Sequence, residues 1–282
     1  MSKQVRITAD STSDLTNELY KELNVTVMPL YAVCGENTYK DSIEIDQTGV
    51  FEYYDKTKQL CKTSAVNVAD YLETFKELTA DGSEVVHISI SNKLSSSYQN
   101  ACVAAAECEG VYIVDSLNLS SGSGHSVMIA AELAKAGKSG KEISDTLAGI
   151  IPRVDASFII DTLEYLYKGG RCSAVAMLGA NMLKLKPCIE VHDGAMGVFK
   201  KYKGTYANSL TQYVSDRLEH IENIDPNRIF VTHTVKDHAL VEAVIKQVES
   251  YGYFKEVIET MAGSTIASHC GPNTLGILYI NK

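Results

Sequence analysis

Two apolar rhythms alternate along the first half of the chain. Val5-Arg-Ile-Thr-Ala is a short β-type run. After the polar stretch Asp10-Ser-Thr-Ser-Asp14, a helical spacing puts Leu15, Leu19 and Leu23 on one face. Val25 to Val33 reads as a second strand, and Asn67 is placed to cap a helix running through Leu78. Val85-Val-His-Ile-Ser-Ile90 is a buried-type strand, followed by a serine-rich loop and an alanine-rich helix around Ala101–Ala106. Val111-Tyr-Ile-Val114 gives another strand, and Ser116–Gly124 leads into a helix over Ser126–Lys138. Strands alternating with helices predict a mainly parallel, doubly wound sheet.

After Pro152 the rhythm changes. The pattern predicts a strand over Ala156–Ile160, a loop carrying Gly169-Gly170-Arg171, and a helix over Val175–Leu183. Cys188–Val191 and Gly197–Lys203, joined through Asp193-Gly194, read as a β-hairpin. A helix over Asn208–Ile221, a strand at Arg228–Thr232, a helix over Leu240–Tyr251 and strands at Val257–Thr260 and Leu275–Ile280 follow. The expected fold is α/β: a doubly wound, mainly parallel sheet domain over residues 1–154, then an α+β domain over 155–282.

Of the 282 residues 45% are hydrophobic, enough for a sizeable core, and no apolar run reaches membrane-spanning length. The opening Met-Ser-Lys-Gln-Val-Arg lacks the pattern of a secretion signal, so a cytoplasmic protein is expected. The seven cysteines are an odd number without a CxxC pair, and read as small buried hydrophobes rather than a disulfide framework or zinc ribbon. A net charge of −9 argues against nucleic acid as a partner. The charge is uneven: between Lys168 and Lys203 seven basic residues face only Glu190 and Asp193. That stretch is either a solvated face or a docking surface for an acidic partner, a nucleotide-bearing enzyme or an anionic membrane surface.

Hydroxyl-rich turns follow three of the strands, at Ser11-Thr12-Ser13, Ser89 through Ser97 and Ser120-Ser121-Gly122-Ser123-Gly124. Ligands of open parallel sheets bind beyond the carboxyl ends of the strands, and helix N-termini there suit an anion. Helix capping by serine accounts for each loop singly. Motifs of harder chemistry fail. Gly122-Ser-Gly124 lacks the third glycine of a dinucleotide fingerprint, and Gly137-Lys138-Ser139 closes a helix instead of opening one, so it is no phosphate-binding loop. There is no GxSxG elbow, no HExxH and no histidine cluster for a metal.

Several marks taken together resemble the DegV family, over essentially the whole chain. They are Asp10-Ser-Thr-Ser-Asp-Leu15, Thr63-Ser64, Leu94-Ser-Ser-Ser-Tyr-Gln99, Asp115-Ser116 with Ser120-Ser-Gly-Ser-Gly124, Leu163-Glu-Tyr-Leu-Tyr-Lys-Gly-Gly-Arg171, Leu185-Lys-Pro187 and Gly271-Pro272. The resemblance implies a long-chain fatty acid held in a tunnel between two domains. It implies that the carboxylate is hydrogen-bonded by Thr63 and Ser95, with Ser96 beside them and Arg171 and His269 in the surrounding network. It further implies no catalytic residue, metal or cofactor of the chain's own, and a partner: the ATP-dependent fatty acid kinase subunit that makes the acyl phosphate. Ala65-Val66 stands where the family has Gln-Pro, Ser96 and Ser97 where it has glycine and threonine, and Asn273 where it has glycine. Two other readings compete. One is a sensor of an anionic metabolite or lipid without a kinase. The other is a transferase or hydrolase with Ser95 or Ser123 as nucleophile and His269 as base, which requires serine and histidine in contact.

Overall fold

The computed structural model describes residues 3–172 and 185–282. Four strands, β1 (Val5–Asp10), β2 (Val25–Met28), β6 (Glu84–Ser89) and β7 (Val111–Asp115), form an all-parallel sheet in the order β2-β1-β6-β7. Their apolar residues are buried on both faces because helices cross over between them. Those helices include α1 (Asn17–Glu22), α2 (Gln47–Thr57), α3 (Val68–Thr79) and α4 (Ser97–Ala105). The Asn67 side chain caps α3, as its position promised.

The expected strand from Val25 to Val33 is two strands. At Pro29-Leu30 the chain leaves the parallel sheet, since proline offers no N–H to the ladder. It then enters a small antiparallel sheet of order β4-β3-β5, with β3 at Tyr31–Cys34, β4 at Asn37–Lys40 and β5 at Lys62–Ser64. In this sheet the cysteine reading fails. Cys34 and Cys61 form a disulfide with Cα atoms 4.4 Å apart, because the β3–β5 register brings together residues 27 apart in sequence. Of the five cysteines outside this disulfide, Cys172, Cys188 and Cys270 are buried, but Cys102 and Cys108 are only half so.

The remaining chain builds a six-stranded mixed sheet of order β10-β9-β8-β13-β11-β12. Its strands are β8 (Val154–Ile159), β9 (Leu185–His192), β10 (Ala195–Lys203), β11 (Ile224–His233), β12 (Glu256–Met261) and β13 (Leu275–Asn281). The β9–β10 hairpin turns where expected, with Asp193 and Gly194 at φ 47° and 81°. The helices are α7 (Glu164–Gly169), α8 (Tyr206–Arg217), α9 (His238–Ser250) and α10 (Ser264–Cys270). The expected helix over Val175–Leu183 lies outside the described residues.

Helix α5 (Ser120–Lys135) packs between the two large sheets, and α6 (Gly140–Ile150) lies beside it. One apolar cluster runs from Ile7 and Ile88 through Val127 and Ala130 to Phe158, Phe230 and Leu278, so both sheets share a core. Helix α5 begins six residues before the expected Ser126, inside the Ser-Ser-Gly-Ser-Gly run. Close approach requires that composition: a Cβ on Gly124 would stand 2.9 Å from the Ser13 carbonyl oxygen.

Among the described residues no helix is long and apolar enough to cross a membrane. Much of the basic stretch is paired internally: Lys168 with Glu164 at 2.7 Å, Lys186 with Asp161, and Lys200 with Asp216 at 2.5 Å.

Candidate functional site

A cavity of about 240 Å³ opens where the carboxyl ends of β2, β6 and β7 meet β5 and α10. Leu30, Ile90, Leu94, Leu119, Met196 and Ile266 supply the apolar part of its wall. Its polar end holds Thr63, Ser95, Ser96, Arg171 and His269, so all five residues singled out in the sequence line one space. They reach it from four parts of the chain.

Thr63 is the middle residue of β5, paired with Ala32 of β3. A hydrogen bond of 2.8 Å joins its hydroxyl to Nε2 of His269, 206 residues later. His269 is held low, at about 4, by burial and then by the Arg171 charge, so its ring is neutral near pH 7. Its Nδ1 makes no hydrogen bond. The glycines explain how the ring fits. A Cβ on Gly169 would run into the imidazole, and Gly170 ends α7 in the left-handed region at φ 69°. Gly271, at φ 80°, passes so close to the Tyr165 ring that a side chain there would collide with it. The Gly-Gly-Arg and His-Cys-Gly-Pro motifs are thus two halves of one packed junction.

Ser95 and Ser96 stand just before α4. Ser95 Oγ accepts from the Ser97 N–H at 3.2 Å and bonds the Ser97 hydroxyl at 3.0 Å. Ser96 has φ −79°, a backbone open to any residue, and its side chain is exposed at the rim. Serine in place of glycine therefore fits without strain. Asn273 does occupy a left-handed position, φ 54°, which asparagine tolerates, and its side chain donates to Asp161 at 3.2 Å. Arg171 donates to the Gly169 carbonyl at 2.8 Å and to that of Leu94 at 3.5 Å, closing the rim between the two loops.

Leu94, Ser95, Ser96 and Arg171 also line an outer groove of about 530 Å³, bounded by Lys93 and Tyr98. On the opposite side, Leu119, Ile266 and Cys270 continue into a narrow slot between Phe158 and Leu278. The cavity thus shares Leu94, Ser95, Ser96 and Arg171 with the groove, and Leu119, Ile266 and Cys270 with the slot.

The third serine loop contributes Leu119 to the cavity and slot and Ser120 to the slot, but the first, Ser11–Ser13, touches neither. Sequence reasoning missed helix α10 and the buried acids that hold it. Gly263 N donates to Asp14 at 2.9 Å, while Ser264 Oγ and Thr265 N donate to Asp41 at 2.7 and 3.1 Å. These carboxylates from the other half of the chain cap a helix that lacks a side-chain cap of its own. Ser120 donates to Asp14 as well, at 2.5 Å. Burial nevertheless raises Asp14 to about 7.

The hydrolase arrangement is not formed. His269 bonds Thr63, Ser95 bonds Ser97, and Ser123 bonds Ser116 at 2.9 Å. Among the described residues no group of three or more His, Cys, Asp or Glu side chains could hold a metal ion.

Comparison with known proteins fits this geometry. A family model described as "Uncharacterised protein, DegV family" matches residues 4–282. A DegV domain-containing protein of Clostridium acetobutylicum is 29% identical over 282 residues, covering 99% of each chain. One from Halalkalibacterium halodurans is 30% identical, again covering 99% of each. Among solved structures, a DegV family protein of Thermus thermophilus described by its fatty acid binding superposes with a TM-score of 0.92 at 28% identity, covering 99% of this chain and 100% of that one. DegV of Bacillus subtilis, described as a fatty acid binding protein, gives 0.89 at 26% identity and covers all of both chains.

Proposed function

The chain belongs to the DegV family, and on that footing we propose that it binds a long-chain fatty acid in this cavity and presents the carboxylate to a separate ATP-dependent kinase subunit, which converts it to an acyl phosphate. The observation that carries the reading is the mixed lining of the cavity, with hydroxyls, imidazole and guanidinium beside apolar side chains that it shares with the adjoining slot. We take the cavity's walls to be two units, residues 1–154 and 155–282.

In this reading the tail dominates affinity and the head group fixes orientation. Each buried methylene contributes about 0.8 kcal/mol, so a dozen give a gross gain on the order of 10 kcal/mol. A buried carboxylate costs several kcal/mol unless donors meet it. Thr63 and Ser95 supply two hydroxyls. Because Nδ1 of His269 has no partner, the ring proton is assigned to Nε2, which donates to Thr63 Oγ1 and frees the threonine proton for the ligand. Arg171, already engaged by two carbonyls, stays at the rim as a positive charge without clamping both carboxylate oxygens. Neutral donors leave an oxygen electron-rich enough to attack a γ-phosphate, whereas a bidentate guanidinium would quench it. The basic residues between Lys168 and Lys203 are candidates for transient contact with a membrane surface.

A sensor without a kinase would share this cavity, so only transfer separates the two. Mass spectrometry of an organic extract of the purified protein should find a long-chain fatty acid. Addition of a fatty acid kinase subunit and ATP should then yield acyl phosphate. An extract without fatty acid, from a chain that also fails to bind added palmitate, would overturn the reading.

A further inference from the structure

The Cys34–Cys61 disulfide is a feature that holding a fatty acid does not in itself require. Cys34 ends β3 and Cys61 immediately precedes β5, so the bond stands where the next rung after Val33↔Lys62 would fall. β5 is a three-residue strand at the edge of its sheet, tied to β3 by the pairs Tyr31↔Ser64, Ala32↔Thr63 and Val33↔Lys62. An edge strand so short opens easily without a further tie. Its middle residue is Thr63, and Thr63 to Ala65 form one wall of the cavity.

The sulfurs also sit on the far side of the same junction. They pack in an apolar cluster with Val50 and Phe51 of α2, Tyr165 of α7 and Ala267 of α10. The last two belong to the helices that hold His269 in place. The cross-link is therefore in contact with what positions each partner of the 2.8 Å bond between Thr63 and His269.

We propose that Cys34 and Cys61 form a redox switch on the cavity. Oxidised, they clamp β5 and keep Thr63 against His269. Reduced, they let β5 open, and the bound acid exchanges faster. The ligand in this inference rests on the fatty-acid reading; the movement of β5 does not. Reduction needs a dithiol. One of its thiolates attacks a sulfur of the bond to give a mixed disulfide, and its second thiolate displaces the protein sulfur. Two electrons and two protons end on Cys34 and Cys61, and the reductant leaves as a disulfide. Both cysteines are only 5% exposed, so attack follows a transient opening of the edge strand.

Three measurements test the switch. Thiol titration of the denatured, unreduced chain should find five thiols, those of the cysteines outside the disulfide, and seven after reduction; seven before reduction would overturn the proposal. Amide hydrogen exchange at residues 62–64 of the ligand-free chain should quicken about tenfold on reduction. A Cys34→Ala/Cys61→Ala variant should match the reduced protein, and reduced wild type serves alone if that variant fails to fold. Labelled palmitate should leave the reduced chain about tenfold faster than the oxidised one, one decade in rate. Exchange at 62–64 indifferent to redox state sinks the switch whether or not palmitate binds, as does an unchanged release rate. Redox-dependent exchange in a chain that never binds palmitate would support the clamp and refute the fatty-acid reading instead.

Discussion

Two hydroxyl-rich turns of nearly the same composition, Ser11-Thr12-Ser13 and Ser95-Ser96-Ser97, leave neighbouring parallel strands and meet different fates. In the first, every residue is buried, Ser11 donates to Asp41 at 2.7 Å and Ser13 to the Asp10 carbonyl at 2.9 Å. In the second, the buried Ser97 bonds Ser95 and Tyr71, while the hydroxyl of Ser95 meets no carboxylate, and Ser95 and Ser96 face the cavity. Hydroxyl content does not make a binding site. What makes one is a set of donors left without a protein acceptor, and Asp41 is the acceptor that the second turn lacks. One turn holds the fold together, and the other stays available.

The sharpest way to break this contrast is to remove the acceptor. Asp41 receives Ser11, Ser42 and Ser264 hydroxyls and the Thr265 N–H, at 2.7 to 3.2 Å. Asp41→Ala strands the donors of Ser11, Ser264 and Thr265, all buried, and should cost about 4 kcal/mol in urea unfolding. A loss below about 1 kcal/mol would show that the first turn is not the structural one.

Next in size is the pH response of Asp14. Burial raises it from 3.8 to about 7, so the native chain holds that proton where the unfolded chain has released it. Stability from this group therefore declines as pH climbs from about 4 to about 7 and is level above, a span worth on the order of 4 kcal/mol. In Asp14→Asn the decline should disappear. His125 and His269, both pushed down to about 4 by burial, act in the opposite sense, costing stability as pH falls below 6.5. Both proteins carry them, so the difference in unfolding free energy between wild type and variant, followed from pH 5 to 8, isolates Asp14. Parallel curves would contradict the assignment.

The smallest effect belongs to the open turn. Ser95→Ala should leave unfolding within about 0.5 kcal/mol of wild type. It should weaken palmitate binding about tenfold in a calorimetric titration, the loss of one hydrogen bond to a charged group. Thr63→Ala should likewise weaken binding and slow phosphorylation by the kinase, and should also cost about 1–3 kcal/mol of stability because the buried His269 ring loses its Thr63 partner. A Ser95→Ala chain that unfolds early but binds normally would reverse the comparison.

The parallel sheet, the α3 cap at Asn67 and the β9–β10 hairpin were legible because each depends on residues close in sequence. The five residues of the polar end were reached through motif order and resemblance, and they line one cavity. What escaped depends on distant partners. The Cys34–Cys61 pair follows from the β3–β5 register. Helix α10 is short and built of Ser, Thr, Ile, Ala, His and Cys, mostly indifferent helix formers, and its caps arrive from Asp14 and Asp41. The start of α5 hid in a Ser-Gly run whose glycines answer to Ser13 and Asn118. No local pattern announces a cap or a contact supplied from across the molecule.

The position of β13 sets the order of assembly during synthesis. It lies between β8 and β11 and is antiparallel to both, yet it follows both in the chain. A nascent polypeptide emerging from the ribosome therefore carries a sheet split down its middle, with two unpaired inner edges, until residue 281 is free to move in. Such half-made chains, with those edges still open, are the ones a chaperone would have to guard.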